Sequence, residues 1–132
     1  MIQMKGGGIV QFQASIPIYL QIADLIEMWI LQGRLEQGMQ VPSVRQLALE
    51  LQVNPNTVQR AFLELESAGV IITKRATGRF ITDDKAKLEQ MRQKILTERT
   101  SEFIKTMREF GLDDAAILAL VEANADAMKE GL

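Results

Sequence analysis

The sequence predicts a fold that is mainly α with a small β-hairpin: a domain at residues 14–82, preceded by a leader at 1–13 and followed by a two-helix tail at 83–132. Apolar residues recur at helical spacing through 17–68, one β-prone stretch punctuated by glycine follows at 70–82, and helical stripes then resume. A chain of 132 residues suffices for one domain with an appendage and buries roughly two-thirds of its unfolded surface. With 47% apolar and 24% charged residues the composition is that of a globular protein. No apolar run reaches the roughly 18 residues of a membrane helix.

Residues 1–13 contain three consecutive glycines and no sustained periodicity, which predicts a flexible leader. The opening MIQMKGGGIVQF lacks the basic, apolar and small-residue order of a secretory signal, so a cytoplasmic location is expected. Pro17, a favoured first-turn residue, opens a helix over 17–32 with Ile18, Ile22, Ile26, Trp29 and Ile30 on one stripe and Gly33 as its stop. The segment 35–41, leading to Pro42, reads as a turn with a short strand. Ser43 and Gln46 then stand at the two capping-box positions, and Val44, Leu47, Ala48 and Leu51 mark a short helix over 44–51.

Asn54 is a favoured N-cap, Pro55 fits a first turn, and Val53 and Val58 occupy the staple positions of a third helix over 55–68. Its core stripe is Val58, Ala61, Phe62 and Leu65, and Gly69 terminates it. Strands are expected at 70–73 and 80–82, joined by a polar stretch ending in Gly78. Asp83 and Asp84 begin a long helix that Gly111 breaks, and Asp113 caps a last one, with Leu112 and Ile117 as a staple pair. Two such helices cannot bury both faces alone, so the tail is expected to pack on a second copy of the chain. The dimerisation residues are Leu88, Met91, Ile95, Phe103, Met107 and Phe110, with Arg99 as a polar gap, followed by Ile117, Leu120 and Val121.

Chemistry is constrained by what is missing. Cys and His are both absent, which excludes disulfides, thiol nucleophiles, imidazole bases and nearly every structural zinc site. Carboxylates such as Glu64 and Glu66 lie two apart on a helix, do not face each other, and read as solvated surface. No enzymatic activity, cofactor or metal is expected.

The helices at 44–51 and 55–68, joined by three residues, satisfy the steric pattern of a helix-turn-helix, with small Ala48 allowing a close crossing. Gln52 departs from the glycine common in such turns. Burying the stripe of the second helix sends Asn56, Gln59, Arg60 and Leu63 outward, with Thr57 on the flank. Amides and guanidinium groups read base edges bidentately, and a free helix N-terminus attracts phosphate. Arg45, Lys74, Arg75 and Arg79 flank that helix with positive charge suited to phosphate contact or a minor-groove wing. Net charge is −2 and the isoelectric point about 5.2, so the case rests on charge distribution: between 45 and 79, five basic residues oppose Glu50, Glu64 and Glu66. The low isoelectric point suits a second reading, a winged-helix adaptor that binds a protein partner without specific DNA binding.

The ordered segments PIYLQI, VPSVRQLALEL, NPNTVQRAFLELESAGVI and TGRFI resemble the winged helix-turn-helix domain of GntR family transcriptional regulators over 17–82, and the short tail resembles the family's YtrA-like branch. The resemblance implies a homodimeric repressor with no large effector domain. It points to Arg45, Asn56, Thr57, Gln59 and Gly78 as contact positions. Together with Asn54, Arg60, Lys74, Arg75, Thr77 and Arg79 these form the expected DNA-binding set. Ala76 stands where a wing glycine is common, Arg79 replaces a usual Thr, and Pro55 and Gln59 occupy positions where many relatives carry Arg. The expected partner is a near-palindromic double-stranded operator, entered by two recognition helices about 34 Å apart. Any small-molecule effector is expected at the dimer seam or at 82–87.

Overall fold

The computed structural model describes residues 10–131, in two compact units that divide after Gln90. The first holds α1 (Ile18–Leu31), α2 (Val44–Leu51), α3 (Pro55–Ser67), β1 (Ile71–Lys74) and β2 (Gly78–Ile81). Helix α4 (Lys85–Glu109) begins in this unit and continues into the second, which also carries α5 (Asp114–Lys129). The mainly helical fold with one antiparallel hairpin is the one predicted. Residues 1–9 of the expected leader lie outside the described residues. At its other end the chain is held, because the Gln21 carboxamide accepts from the Gln13 amide at 2.9 Å and donates to the carbonyls of Gln13 and Ile16 at 2.8 Å.

Core formation centres on α3. Its buried Val58, Ala61, Phe62 and Leu65 pack against α1, which buries Ile22, Ala23, Ile26 and Trp29, and against α2, which buries Leu47, Ala48 and Leu51. Leu35, Val41, Val70, Ile71 and Ile81 complete the core. Trp29 and Phe62 are its largest fully buried side chains, and burial of Phe62 contributes about 2–3 kcal/mol.

Helix ends follow local chemistry. Pro17 is the N-cap of α1 with extended backbone, not a first-turn residue, so α1 starts at Ile18 and ends at Leu31, one residue inside the expected span at each end. The α2 capping box is formed: the Ser43 hydroxyl accepts from the Gln46 amide at 3.2 Å, and the Gln46 carboxamide accepts from the Ser43 amide at 3.1 Å. Gln52 adopts the left-handed region, φ 56° and ψ 48°, so the turn takes a glycine-type conformation with a side chain present.

Strands β1 and β2 pair Ile71 with Ile81, Ile72 with Phe80, Thr73 with Arg79 and Lys74 with Gly78. The turn is therefore only 75–77, shorter than expected, and both strands extend further toward it than 70–73 and 80–82. The short strand expected within 35–41 is reduced to a single bridge between Gln40 and Phe80. It is flanked by hydrogen bonds from Gly38 to the Ile81 carbonyl, from Ile81 to Met39 and from Val41 to Arg79, at 2.8–2.9 Å.

In the second unit, α4 ends in a turn through Gly111, φ 88°, closed by the Leu112 amide on the Met107 carbonyl. Asp113 caps α5 by accepting from Ala116 at 2.9 Å, and Arg108 pairs with Asp114 at 3.0 Å across the corner. Among the described residues no helix is long and apolar enough to cross a membrane, and no acidic cluster could hold a metal ion.

Candidate nucleic-acid interface

The N-terminal end of α3 is exposed, as the helical stripe requires. Asn54 accepts from the Asn56 amide through Oδ1 at 2.8 Å, fixing the first turn, while Asn54, Pro55, Asn56 and Arg60 are exposed and Thr57 and Gln59 are half-buried. The Arg60 guanidinium lies 4.0 Å from the centre of the Tyr19 ring, stacking the outer face of α3 on α1. Arg45 is exposed on the first turn of α2.

At the wing, Lys74, Arg75, Ala76, Thr77 and Gly78 are exposed. Lys74 lies over the Phe80 ring at 4.5 Å, and the Thr77 hydroxyl donates to the carbonyls of Lys74 and Arg75 at 3.2 and 3.4 Å. Ala76 has φ 66°, a turn position that favours glycine. Gly78 has φ 121°, and a Cβ there would meet Gln40 Nε2 at 2.7 Å. That amide donates to the Thr77 carbonyl at 2.9 Å. The positive φ is what calls for glycine at 78, since the Gln40 carboxamide is the end of a flexible side chain and could shift aside.

Arg79 is placed differently from the free wing cation that the sequence suggests. Its Nε donates to Glu66 Oε1 at 2.6 Å, its Nη2 donates to Gln59 Oε1 at 3.3 Å, and its guanidinium lies 5.1 Å from the centre of the Phe62 ring. Arg79 and Glu66 side chains are 24% and 25% exposed, so the pair is shielded enough to act as a fixed strut. Glu66 Oε1 also accepts from the Thr73 hydroxyl at 2.9 Å. Both strands of the hairpin are therefore tied to α3 through one oxygen, and Glu66 is not the solvated surface residue that its spacing from Glu64 implies. The register explains it, since Thr73 and Arg79 are directly paired.

These contacts put three elements on one side of the unit. The Arg79–Gln59 hydrogen bond joins the wing to α3, and an open groove lined by Ser43, Arg45, Gln46, Gly78 and Arg79 joins the wing to the start of α2. Arg45, Gln59 and the wing, far apart in sequence, converge there. Sequence reasoning missed Glu66, Thr73, Gln40 and Tyr19. Only the strand register could have shown the first two, and the ring under Arg60 depends on how α1 crosses α3.

The tail residues divide by exposure. Met91 and Ile117 are buried within the chain itself, and Leu88, Ile95 and Met107 are half-buried. Phe103, Phe110, Leu120 and Val121 are exposed, as are Leu96, Leu118 and Met128, of which Leu96 and Leu118 lie off the stripes.

Comparison with known proteins agrees with this geometry. The sequence profile described as "Bacterial regulatory proteins, gntR family" matches residues 18–81. The chain is 41% identical over 108 residues to the uncharacterized HTH-type transcriptional regulator YhcF of Bacillus subtilis, covering 82% of this chain and 89% of that one. It is 37% identical over 93 residues to the HTH-type transcriptional repressor YtrA of the same organism, covering 70% and 72%. The solved structure of a GntR family transcriptional regulator from Listeria monocytogenes matches with TM-score 0.80 at 42% identity, over 85% of this chain and 98% of that one.

Proposed function

The chain belongs to the GntR family of bacterial regulatory proteins, winged helix-turn-helix DNA-binding regulators rather than enzymes, and from that premise we propose that it is a homodimeric repressor of the YtrA-like branch. The observation that carries the DNA-contacting surface is that Arg79 of the wing bonds Gln59 of α3 and, with Gly78, lines one groove with Arg45 of α2. In this reading Asn56, Thr57 and Gln59 face base edges in the major groove. Arg45, Arg60, Lys74 and Arg75 contact phosphates, and the turn at 75–77 with Gly78 enters the neighbouring minor groove.

Exposed Phe110, Leu118, Leu120, Val121 and Met128 supply the apolar surface on which a second copy docks, which makes two recognition helices available to a near-palindromic operator. The similarity to a repressor named YtrA supports negative regulation, in which the bound dimer obstructs polymerase.

Selection of genomic fragments by the full chain, followed by sequencing and gel shift, tests the reading. An inverted repeat with half-sites one helical turn apart is expected, bound by two copies as measured by sedimentation. No retardation at low salt, together with a stable protein partner in pull-down, would replace it with the adaptor reading. A monomer at concentrations that saturate the operator would remove the homodimer.

A further inference from the structure

The Arg79 strut has a chemical consequence for base reading. A free glutamine carboxamide both donates and accepts, and so pairs bidentately with adenine, whose N7 accepts and whose N6 amine donates. Guanidinium nitrogens only donate. A carboxamide held by Arg79 must therefore turn its oxygen to it, as Gln59 does at 3.3 Å, which leaves Nε2 as the group available to a base. Arg79 cannot easily swing away, because Glu66 fixes its Nε at 2.6 Å and the guanidinium stands over Phe62 at 5.1 Å.

We propose that Arg79 is a specificity-determining positioning residue: by holding Gln59 Oε1 turned toward itself it presents Gln59 to the base through Nε2, a donor that selects an acceptor edge and disfavours adenine and cytosine. Guanine, with N7 and O6 both accepting, fits such a donor best, and thymine O4 fits next. Adenine offers only N7 and leaves its amine unpaired in the interface, while cytosine presents a donor against a donor. The proposal rests on the reading that α3 enters the major groove. It concerns which base is chosen there, and makes Arg79 act through Gln59 instead of touching DNA itself.

The test is selection from a randomised duplex library by the full chain, by Gln59→Ala and by Arg79→Met. Gln59→Ala identifies the position by erasing its preference. At that position the parent is expected to enrich guanine, then thymine. Arg79→Met frees the Gln59 oxygen and is expected to raise adenine relative to guanine about tenfold, with the other positions unchanged. A merely structural role would lower affinity without altering the base chosen at one position.

If Arg79→Met does not hold the fold by circular dichroism, Arg79→Lys replaces it, since an ammonium keeps the charge beside Glu66 but gives up the planar fork that spans Glu66 and Gln59. A folded Arg79 variant with the parent's base preference would overturn the proposal, as would a Gln59-dependent adenine in the parent. Failure of the parent to enrich any sequence would instead overturn the DNA-reading assignment beneath it.

Discussion

Replacing Arg75 with Ala removes an exposed cation from the wing turn, and its effect on the salt dependence of operator binding can be worked out from the structure. Arg45, Arg60, Lys74 and Arg75 are exposed in each winged domain, whereas the charge of Arg79 is matched by Glu66 at 2.6 Å. With every exposed cation on a phosphate in both copies, a dimer makes about eight contacts, and log K against log salt has a slope of about −7. Raising salt from about 50 to 200 mM then weakens binding about 2 × 10⁴-fold. Arg75→Ala deletes two contacts per dimer, so the slope becomes about −5.4 and the same salt step costs only about 2 × 10³-fold. Arg79→Ala should leave the slope near −7 by the same estimate, whatever it does to specificity. Fluorescence anisotropy of a labelled operator across that salt range measures all three slopes. An unchanged slope for Arg75→Ala, or an Arg79→Ala slope as flat as that of Arg75→Ala, would refute the division of wing cations into phosphate-facing and internally paired.

Urea denaturation of Glu66→Ala, Arg79→Ala and the double variant should give a coupling energy of about 1–2 kcal/mol, as for a hydrogen-bonded ion pair only a quarter exposed; additive effects would argue against the strut. Asn54→Ala should destabilise the first unit by about 1 kcal/mol through loss of the cap on Asn56, and Asn54→Ser, read by the same melts, should recover most of it. Gln52→Gly and Ala76→Gly each relieve a left-handed side-chain conformation costing about 1–2 kcal/mol, against about 0.4–1 kcal/mol of added unfolded-state entropy, so each should stabilise by up to about 1.6 kcal/mol in thermal melts. Leu118→Asp and Val121→Asp together should shift sedimentation toward monomer while circular dichroism of the helices persists; an undisturbed dimer would place the interface elsewhere.

Much of the fold was legible because its signals are local. Ser43 with Gln46, Asn54 followed by Pro55, and Gly69 after the α3 stripe fix helix ends through contacts within a few residues, and each behaves as its chemistry requires. The tip of α3 was legible for the same reason, since a buried Val58–Ala61–Phe62–Leu65 stripe leaves Asn56 and Arg60 on the outside.

What could not be read depends on register and on contacts distant in sequence. A single residue's shift in the hairpin would move Thr73 and Arg79 to the other face, away from Glu66. The tether between Gln40 and Thr77 spans 37 residues, and no local pattern announces it. In the tail, helical spacing found the apolar stripes but could not separate Met91 and Ile117, buried by their own chain, from Phe110 and Val121, which are not.

The single carboxylate oxygen of Glu66 that receives both Thr73 and Arg79, with Arg79 reaching on to Gln59, means that these four side chains form one heritable unit. A lineage that exchanged Gln59 for arginine would set two guanidinium groups against each other unless Arg79 changed as well, and a lineage that lost Glu66 would leave Arg79 without its anchor. Among descendants of a common ancestor, positions 59, 66 and 79 should therefore switch in concert, and a regulator acquiring a new operator through one of them inherits a selective pressure on the other two.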